Sequence, residues 1–303
     1  LVSRIADNYR WAVEMFSSLE GTVDQGQQEL RQVIQYAQQK PFIFEQETYI
    51  IYSYVMLFLG NDEDEAWQII NESELDPQVN PMAAFVLANV GMRTGRNDHA
   101  IRILENRPRS RAFHAFPYME FMLGQAKLQR LDKDAHLHLQ AYLDNFNGNN
   151  FVKESYRRLA WHALVHGDTP GYKRYMQKVL TKGKAFTGGD ESAMKEAQSG
   201  EVPHVGLLKA RLLFDGGYYE KANAVLQQQS VNALGSSKNR LEYYYRYGRV
   251  THALEKYTEA LQYYQRAIEI GRYEPWYYAC RAALERGNIY ERKGDYKKAK
   301  AAF

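Results

Sequence analysis

The sequence predicts an all-α chain built from about eight stacked helical hairpins. Three observations predict it. Small residues recur along the chain at Ala88, Gly124, Ala160, Ala210, Gly248 and Gly287, with Tyr54 one unit earlier. The intervals are 34, 36, 36, 50, 38 and 39 residues. Glycines at 60, 95, 167, 217 and 294 then fall six or seven residues after five of these positions, where a chain would reverse. Finally, 24 tyrosines in 303 residues, with only 8 prolines, call for a repeated packing role for the aromatic ring.

Each element follows from the geometry of a hairpin. Two antiparallel helices approach closely only where side chains are small, which accounts for the first row of positions on a helix A. A second row, Ala66, Ala100, Ala222, Ala260 and Ala299, serves the same purpose on a helix B. Glycine after helix A takes the left-handed conformation that lets the chain turn. One hairpin cannot bury its apolar face alone, so neighbours stack. In two units the turn glycine is replaced, by Leu131 and Glu255, and in two the small helix-B residue gives way to His136 and Tyr172. Upstream, Ile5–Ser18 and Asp24–Gln38 read as a further amphipathic pair, the second opened by an Asp24-x-x-Gln27 capping box.

The best-formed units are the last two, with Gly287-Asn288-Ile289-Tyr290, Gly294-Asp295-Tyr296, Ala299 and Phe303 after Gly248, Tyr257, Ala260, Tyr264 and Ala267. This pattern resembles the tetratricopeptide repeat (TPR), and the likeness extends over residues 47 to 303. The resemblance implies a right-handed α–α superhelix with helix A lining a concave face. It divides the chain into an N-terminal helical pair (1–46), TPR-like repeats (47–181), an inserted loop (182–204) and further repeats (205–303) within one continuous solenoid. The insertion accounts for the 50-residue interval. It carries Gly183, Gly188, Gly189, Gly200 and Pro203 around a short helix expected over Glu191–Gln198, and it reads as an elaborated loop or hinge.

Composition narrows the function. A net charge of +3 gives no overall attraction to nucleic acid. No apolar run reaches the ~18 residues that span a bilayer. Cys280 is the only cysteine, so no internal disulfide or cysteine-based metal cluster can form, and beside Ala279 and Ala282 it is expected to be a buried, inert thiol. His162 and His166 stand four apart on one helix, a zinc-compatible spacing, but Ala163 occupies the place of the metalloprotease glutamate. The Phe186–Asp190 segment is glycine-rich without the Lys-Ser/Thr ending of a phosphate loop. Basic clusters at Arg107, Arg109 and Arg111 and along Arg292–Lys300 read as solvated surface. The sequence therefore predicts no catalytic centre, metal or cofactor.

The TPR resemblance places ligand contacts at the second, fifth, sixth, ninth and thirteenth helix-A positions, counting the small residue as the eighth. It points to Asn89, Gln125, Arg157, Trp161, Arg211, Tyr245, Arg249 and Asn288. Arginine there suits a carboxylate, since its planar fork donates two parallel bonds. The family's Lys/Asn/Lys/Arg carboxylate clamp is not reproduced. The leading expectation is a non-catalytic scaffold that binds a protein or peptide in the groove. A cell-envelope receptor for a small ligand or glycan and a regulatory repeat region of a larger enzyme or transcription factor are the alternatives. Self-association through exposed solenoid ends is a further expectation. The compartment, cytoplasmic or periplasmic, is left open. Most tyrosines, including Tyr219, Tyr257, Tyr264, Tyr290 and Tyr296, are assigned to packing between hairpins.

Overall fold

In a computed structural model, residues 22–40, 42–60, 62–110, 113 and 115–303 are described. Sixteen α-helices and no strand occur among them. In chain order they are α1 (Val23–Ala37), α2 (Glu45–Val55), α3 (Glu63–Glu72), α4 (Pro81–Arg93), α5 (Asn97–Asn106), α6 (Tyr118–Gln129), α7 (Ala135–Asn145), α8 (Val152–Val165), α9 (Thr169–Thr181), α10 (Gly188–Ser199), α11 (Val205–Asp215), α12 (Tyr219–Gln227), α13 (Ser237–Ala253), α14 (Tyr257–Gly271), α15 (Tyr278–Arg292) and α16 (Tyr296–Ala302). The fold class is all-α, as expected, and it is built of helical hairpins. None of these helices is long and apolar enough to cross a membrane. The expected helix over Ile5–Ser18 lies outside the described residues.

The chain divides into two compact units, residues 1–122 and 123–303, and the division falls within α6. In the first unit, α2 pairs with α3 and α4 with α5. The core gathers Ile34, Tyr52, Met56, Ile70, Val86 and Val90. Tyr52 is buried but keeps its hydroxyl paired with Glu65, and Arg31 donates to both, reaching the carboxylate at 2.8 Å. α1 opens two residues earlier than a capping box at Asp24 would place it. Thr22 is the N-cap, and its Oγ1 accepts from Gln25 N at 3.1 Å. After α2 the chain continues as one π-helical turn, Met56–Gly60, in place of a left-handed glycine turn.

In the second unit the hairpins are α6–α7, α8–α9, α11–α12, α13–α14 and α15–α16, with α10 inserted. The small-residue rows are buried throughout: Ala88, Ala160 and Ala210 on helix A, and Ala66, Ala100, Ala222, Ala260 and Ala299 on helix B, are each at most 4% exposed. Space is the reason. A Cβ at Gly248 would lie 2.5 Å from Tyr264 Cδ1, and one at Gly124 would lie 2.7 Å from Leu139 Cγ. On α7 the buried small residue is Ala135, one position before the expected His136, so the helix is rotated relative to that reading.

Tyr264 and Tyr142 are buried, and Tyr247 stacks on Tyr263 at 4.2 Å between ring centres. The aromatic rings thus pack within hairpins, and Tyr245 against Tyr278 packs between them. Tyr296 departs from this, since it begins α16 with its ring turned to solvent. Cys280 also departs from expectation. Tyr278, Ala279 and Ala282 form the inward stripe of α15, which leaves Cys280 on the exposed side.

The turn after helix A keeps its conformation even where glycine is missing. Leu131 and Glu255 adopt φ of 66° and 59°, alongside 73°, 89°, 80° and 73° at Gly95, Gly167, Gly217 and Gly294. A left-handed non-glycine residue costs roughly 1–2 kcal/mol. Glu255 is exposed, so its side chain contributes little packing in return. Glu255→Gly should raise stability by about 0.5–1 kcal/mol, because glycine's extra freedom in the unfolded chain cancels part of the relief. Urea unfolding at constant m-value measures it.

The insertion is a built element. α10 runs from Gly188 to Ser199, longer than the expected Glu191–Gln198, and Gly200 ends it at φ 67°. Asp190 is fully buried. One carboxylate oxygen accepts from Phe151 N at 2.8 Å and from Thr187 Oγ1 at 2.7 Å, and the other accepts from Glu154 N at 3.0 Å. It therefore caps α8 across the sequence while sitting in the first turn of α10. Ala193 completes the attachment in the core with Val179 and Trp161. Asp190→Ala leaves two amides of α8 unpaired in a buried place and should cost about 2–4 kcal/mol. Hydrogen exchange in residues 183–203 should rise more than elsewhere in the second unit; protection unchanged there would contradict this account.

Candidate functional site

The second unit holds an open cavity of about 510 Å3 on the helix-A side. Four helix-A elements and the insertion build it. α8 supplies Trp161, α11 supplies Leu208 and Arg211, α13 supplies Glu242 and Arg246, and Tyr278 opens α15. α10 and the segment after it add Lys195, Glu196, Glu201, Val202 and Pro203. Trp276 and Tyr277 stand on the approach to α15.

Trp161 is the centre of this wall. It is 3% exposed and sits in the core with Leu164 and Leu208, yet its ring borders the cavity. Its Nε1 donates to Glu196 Oε1 at 2.8 Å. Guanidinium groups flank the ring, Arg157 at 4.6 Å and Arg211 at 4.8 Å from its centre. Arg157 is buried. It is hydrogen-bonded to Glu154 and lies 3.6 Å from Glu196, while its Nε has no hydrogen-bond partner. Burial raises the Glu196 pKa, and the Trp161 bond and the Arg157 and Arg211 charges offset this only in part.

A Glu–Arg pair four residues apart occurs twice. On α8, Arg158 reaches Glu154 at 2.7 Å; on α13, Arg246 Nε donates to Glu242 at 2.7 Å. Burial acts to raise Glu242, but the Arg246 charge and hydrogen bond prevail and hold its pKa below the usual carboxylate range. Both pairs occupy the second and sixth helix-A positions. That spacing, Glu-x-x-x-Arg before a small residue, was the signal in the sequence that could have identified them.

The expected contact residues divide by exposure. Arg211 and Arg249 remain partly accessible and flank Asp215, at 3.7 and 4.0 Å. Arg249 lies over Phe214 at 4.0 Å and over Tyr245 at 6.0 Å. Tyr245 itself is buried beside Tyr278, so it supports the wall from beneath. Arg157 and Trp161 are equally buried. Asn288 is half-buried, with Nδ2 3.5 Å from Glu285. Gln125 is half-buried on α6 and does not line the cavity. Asn89 belongs to the first unit, where its Oδ1 accepts from Tyr54 and Arg93, both at 3.2 Å. The cavity thus unites Trp161 and Arg211 with residues the repeat positions do not reach: Lys195, Glu196 and Trp276 lie in the insertion or between helices.

The basic cluster near Pro108 is internal chemistry in part. Arg107 is buried, hydrogen-bonded to Glu120 and to the Leu104 carbonyl, and Arg109 lies 3.6 Å from the same glutamate. Arg111 lies outside the described residues.

His136, His162 and His166 form a row, with ring centres 4.7 and 4.5 Å apart. Among the described residues no group of histidine, cysteine or acidic side chains is arranged to hold a metal ion. His162 Nε2 is 3.0 Å from the Lys133 carbonyl. Burial, followed by the neighbouring His166 charge, lowers the His162 pKa to about 4. His166 is lowered by burial too, with Lys209, Lys133 and His136 adding to the effect. The unfolded chain therefore takes up these protons first. Stability is complete above about pH 6.5 and falls as the pH drops from 6.5 towards 4. His162→Asn should shrink the loss between pH 7 and 4.5 by about 1–2 kcal/mol, allowing for solvent screening. Thermal unfolding across that range reads it.

Comparison with known proteins agrees with the repeat. Residues 239–303 match the family model described as tetratricopeptide repeat. No curated protein matches. Among solved structures, one similar chain is "Crystal Structure of Rap Protein Complexed with Competence and Sporulation Factor", at 17% identity and TM-score 0.32, covering 85% of this chain and 74% of that one. Another is "Human IFIT1 dimer with PPP-AAAA", at 17% identity and TM-score 0.28, covering 97% and 72%. At these scores neither likeness bears on function. The chain carries tetratricopeptide repeats at residues 239–303, and its earlier hairpins are built on the same rows of small residues.

Proposed function

We propose that the chain is a non-catalytic repeat scaffold that binds a protein or peptide segment along the helix-A face of its second unit. The observation that carries the reading is the open cavity bounded by Trp161 and Arg211. Its volume falls within the range of ligand sites, and aromatic rings with a few convergent polar groups line it. Arg249 extends the same face beside Asp215. Tetratricopeptide repeats are in general binding scaffolds, which supports a protein partner over a catalytic task.

An extended segment fits this surface better than a compact small molecule. The cavity opens onto a row of side chains from successive helices, so main-chain length is available for contact on either side. Gln125 and Asn288 are assigned to peripheral contacts along the helix-A surface of the second unit, whereas Asn89 lies in the first unit and is left out of this site. Arg157 and Tyr245 position the wall without touching the partner.

Arg211→Ala combined with Arg249→Ala should weaken partner binding at least about tenfold, since each removes a charged donor. The melting temperature should change little, because both groups are partly exposed and their contacts with Asp215 are long. Crosslinked capture from native lysate, with crosslinks mapped onto α8, α11, α13 and α15, identifies the surface. Crosslinks confined to the helix-B side, or undiminished capture by the double variant, would reject the assignment.

A further inference from the structure

The acidic groups around the cavity are already committed. Glu201 is paired with Lys238, Glu242 with Arg246, and Glu196 accepts from Trp161 beside Arg157. Of the basic groups that line it, Lys238 and Arg246 are held by those carboxylates, which leaves Lys195 and Arg211. Lys195 on α10 and Arg211 on α11 line the cavity, and neither donates a hydrogen bond among the described residues. The ion pair of Arg211 is a long one, to Asp215 at 3.7 Å, which it shares with Arg249, while its charge also acts on Glu196 and Glu242. Arg211 and Arg249 thus share one carboxylate, and Arg211 and Lys195 are the cationic donors at the cavity without a hydrogen bond among the described residues. Beside them the cavity is floored by Trp161 and walled by Trp276 and Tyr277, of which Tyr277 is 55% exposed.

We infer that this cavity, completed by the inserted helix, takes an acidic side chain adjacent to an aromatic side chain within an extended segment of a partner protein. The carboxylate pairs with Arg211 and Lys195, and the aromatic ring enters between Trp161 and Trp276. A guanidinium held against an indole is oriented before the ligand arrives, which favours a directed bond to a carboxylate. The rings supply apolar burial and offset or edge contacts with a second ring. An internal acidic residue fits better than a chain end, because the Arg211–Asp215–Arg249 row continues the surface past the cavity. The inference rests on the groove reading above and adds to it the chemistry of the ligand. It gives the insertion a role that the repeat pattern alone does not supply.

The test uses the full chain and blocked peptide probes of one length, acetylated and amidated, with Glu-Phe, Gln-Phe or Glu-Ala at the centre. A fourth probe ends in Phe with a free carboxylate and carries no acidic side chain. Two of the four tryptophans, Trp161 and Trp276, border the cavity, so their fluorescence reports binding, and calorimetry confirms it. The Glu-Phe probe should bind, with the Gln-Phe and Glu-Ala probes about tenfold weaker or worse. Lys195→Gln, on an exposed residue that folding does not need, and Arg211→Gln should each bring the Glu-Phe probe towards the Gln-Phe level while leaving Gln-Phe unchanged. Equal binding of Glu-Phe and Gln-Phe, no binding of any probe, or indifference to both variants would overturn the proposal. Binding of the free-carboxylate probe alone would overturn it in favour of a chain end. A native partner crosslinked to helix A while every probe fails would leave the groove reading intact and remove only this ligand assignment.

Discussion

The close crossing of two helices is the constraint on which everything else in this chain depends. At each crossing a side chain larger than a methyl group has no room: Tyr264 stands against Gly248, and Leu139 against Gly124. The rule recurs on helix A from Ala88 to Gly287, so in those hairpins the register of helix A is fixed by its small residue. Once that residue faces helix B, the second, sixth and ninth positions turn away from it. The groove residues are thus placed by packing, before any ligand is considered. Aromatic rings fill what the small residues leave open, and Tyr247 stacked on Tyr263 shows how tightly neighbouring helices are matched.

Within that frame, one buried carboxylate gives the second unit its particular shape. An insertion of this length costs little in loop closure, but it would remain a loose loop unless something held it. Asp190 provides the hold. It satisfies amides at the start of α8 that no intrahelical carbonyl reaches, and the α8 dipole favours its charge. The consequence is local order where glycine content alone suggested a hinge. Because α10 is anchored at its first turn, Lys195 and Glu196 are presented one turn later at a fixed place beside Trp161.

The hairpins were legible in the sequence because they obey a short-range rule. Small residues at Ala160, Ala210 and Gly248 signal crossings, and even the substitutions at Leu131 and Glu255 preserve the turn, since the backbone tolerates strain there more easily than a shifted register. The cavity was legible only in part. Trp161 and Arg211 follow from repeat positions on their own helices. Lys195 and Glu196 do not, because their placement depends on an anchor 36 to 39 residues away in the chain, from Asp190 to Glu154 and Phe151, and Trp276 does not, because it lies between helices. The burial of Trp161 and the exposure of Cys280 escaped for a related reason: rotation of the helix by a single residue decides them, and spacing fixes rotation only to within a residue or so. Ala135, one place before His136, is the same error in miniature.

The repeated Glu–Arg pairs on α8 and α13 set the charge beneath the cavity. A buried ion pair contributes little net stability, since desolvating both groups offsets most of their attraction. Its value lies elsewhere. Glu154 and Glu242 neutralise the arginines that lie deepest, at 6% exposure for both Arg157 and Arg246. Without those carboxylates the floor would carry buried positive charge and attract any anion, or else fail to pack. With them the floor is electrically quiet, and the field is set by the groups nearer the surface. Glu154 and Glu242 thus do by internal pairing what solvent does for Arg211 and Arg249. The same two glutamates that hold the deep arginines leave the accessible ones to choose the partner, so under the proposed groove reading, specificity resides in the ninth helix-A positions and in the inserted helix.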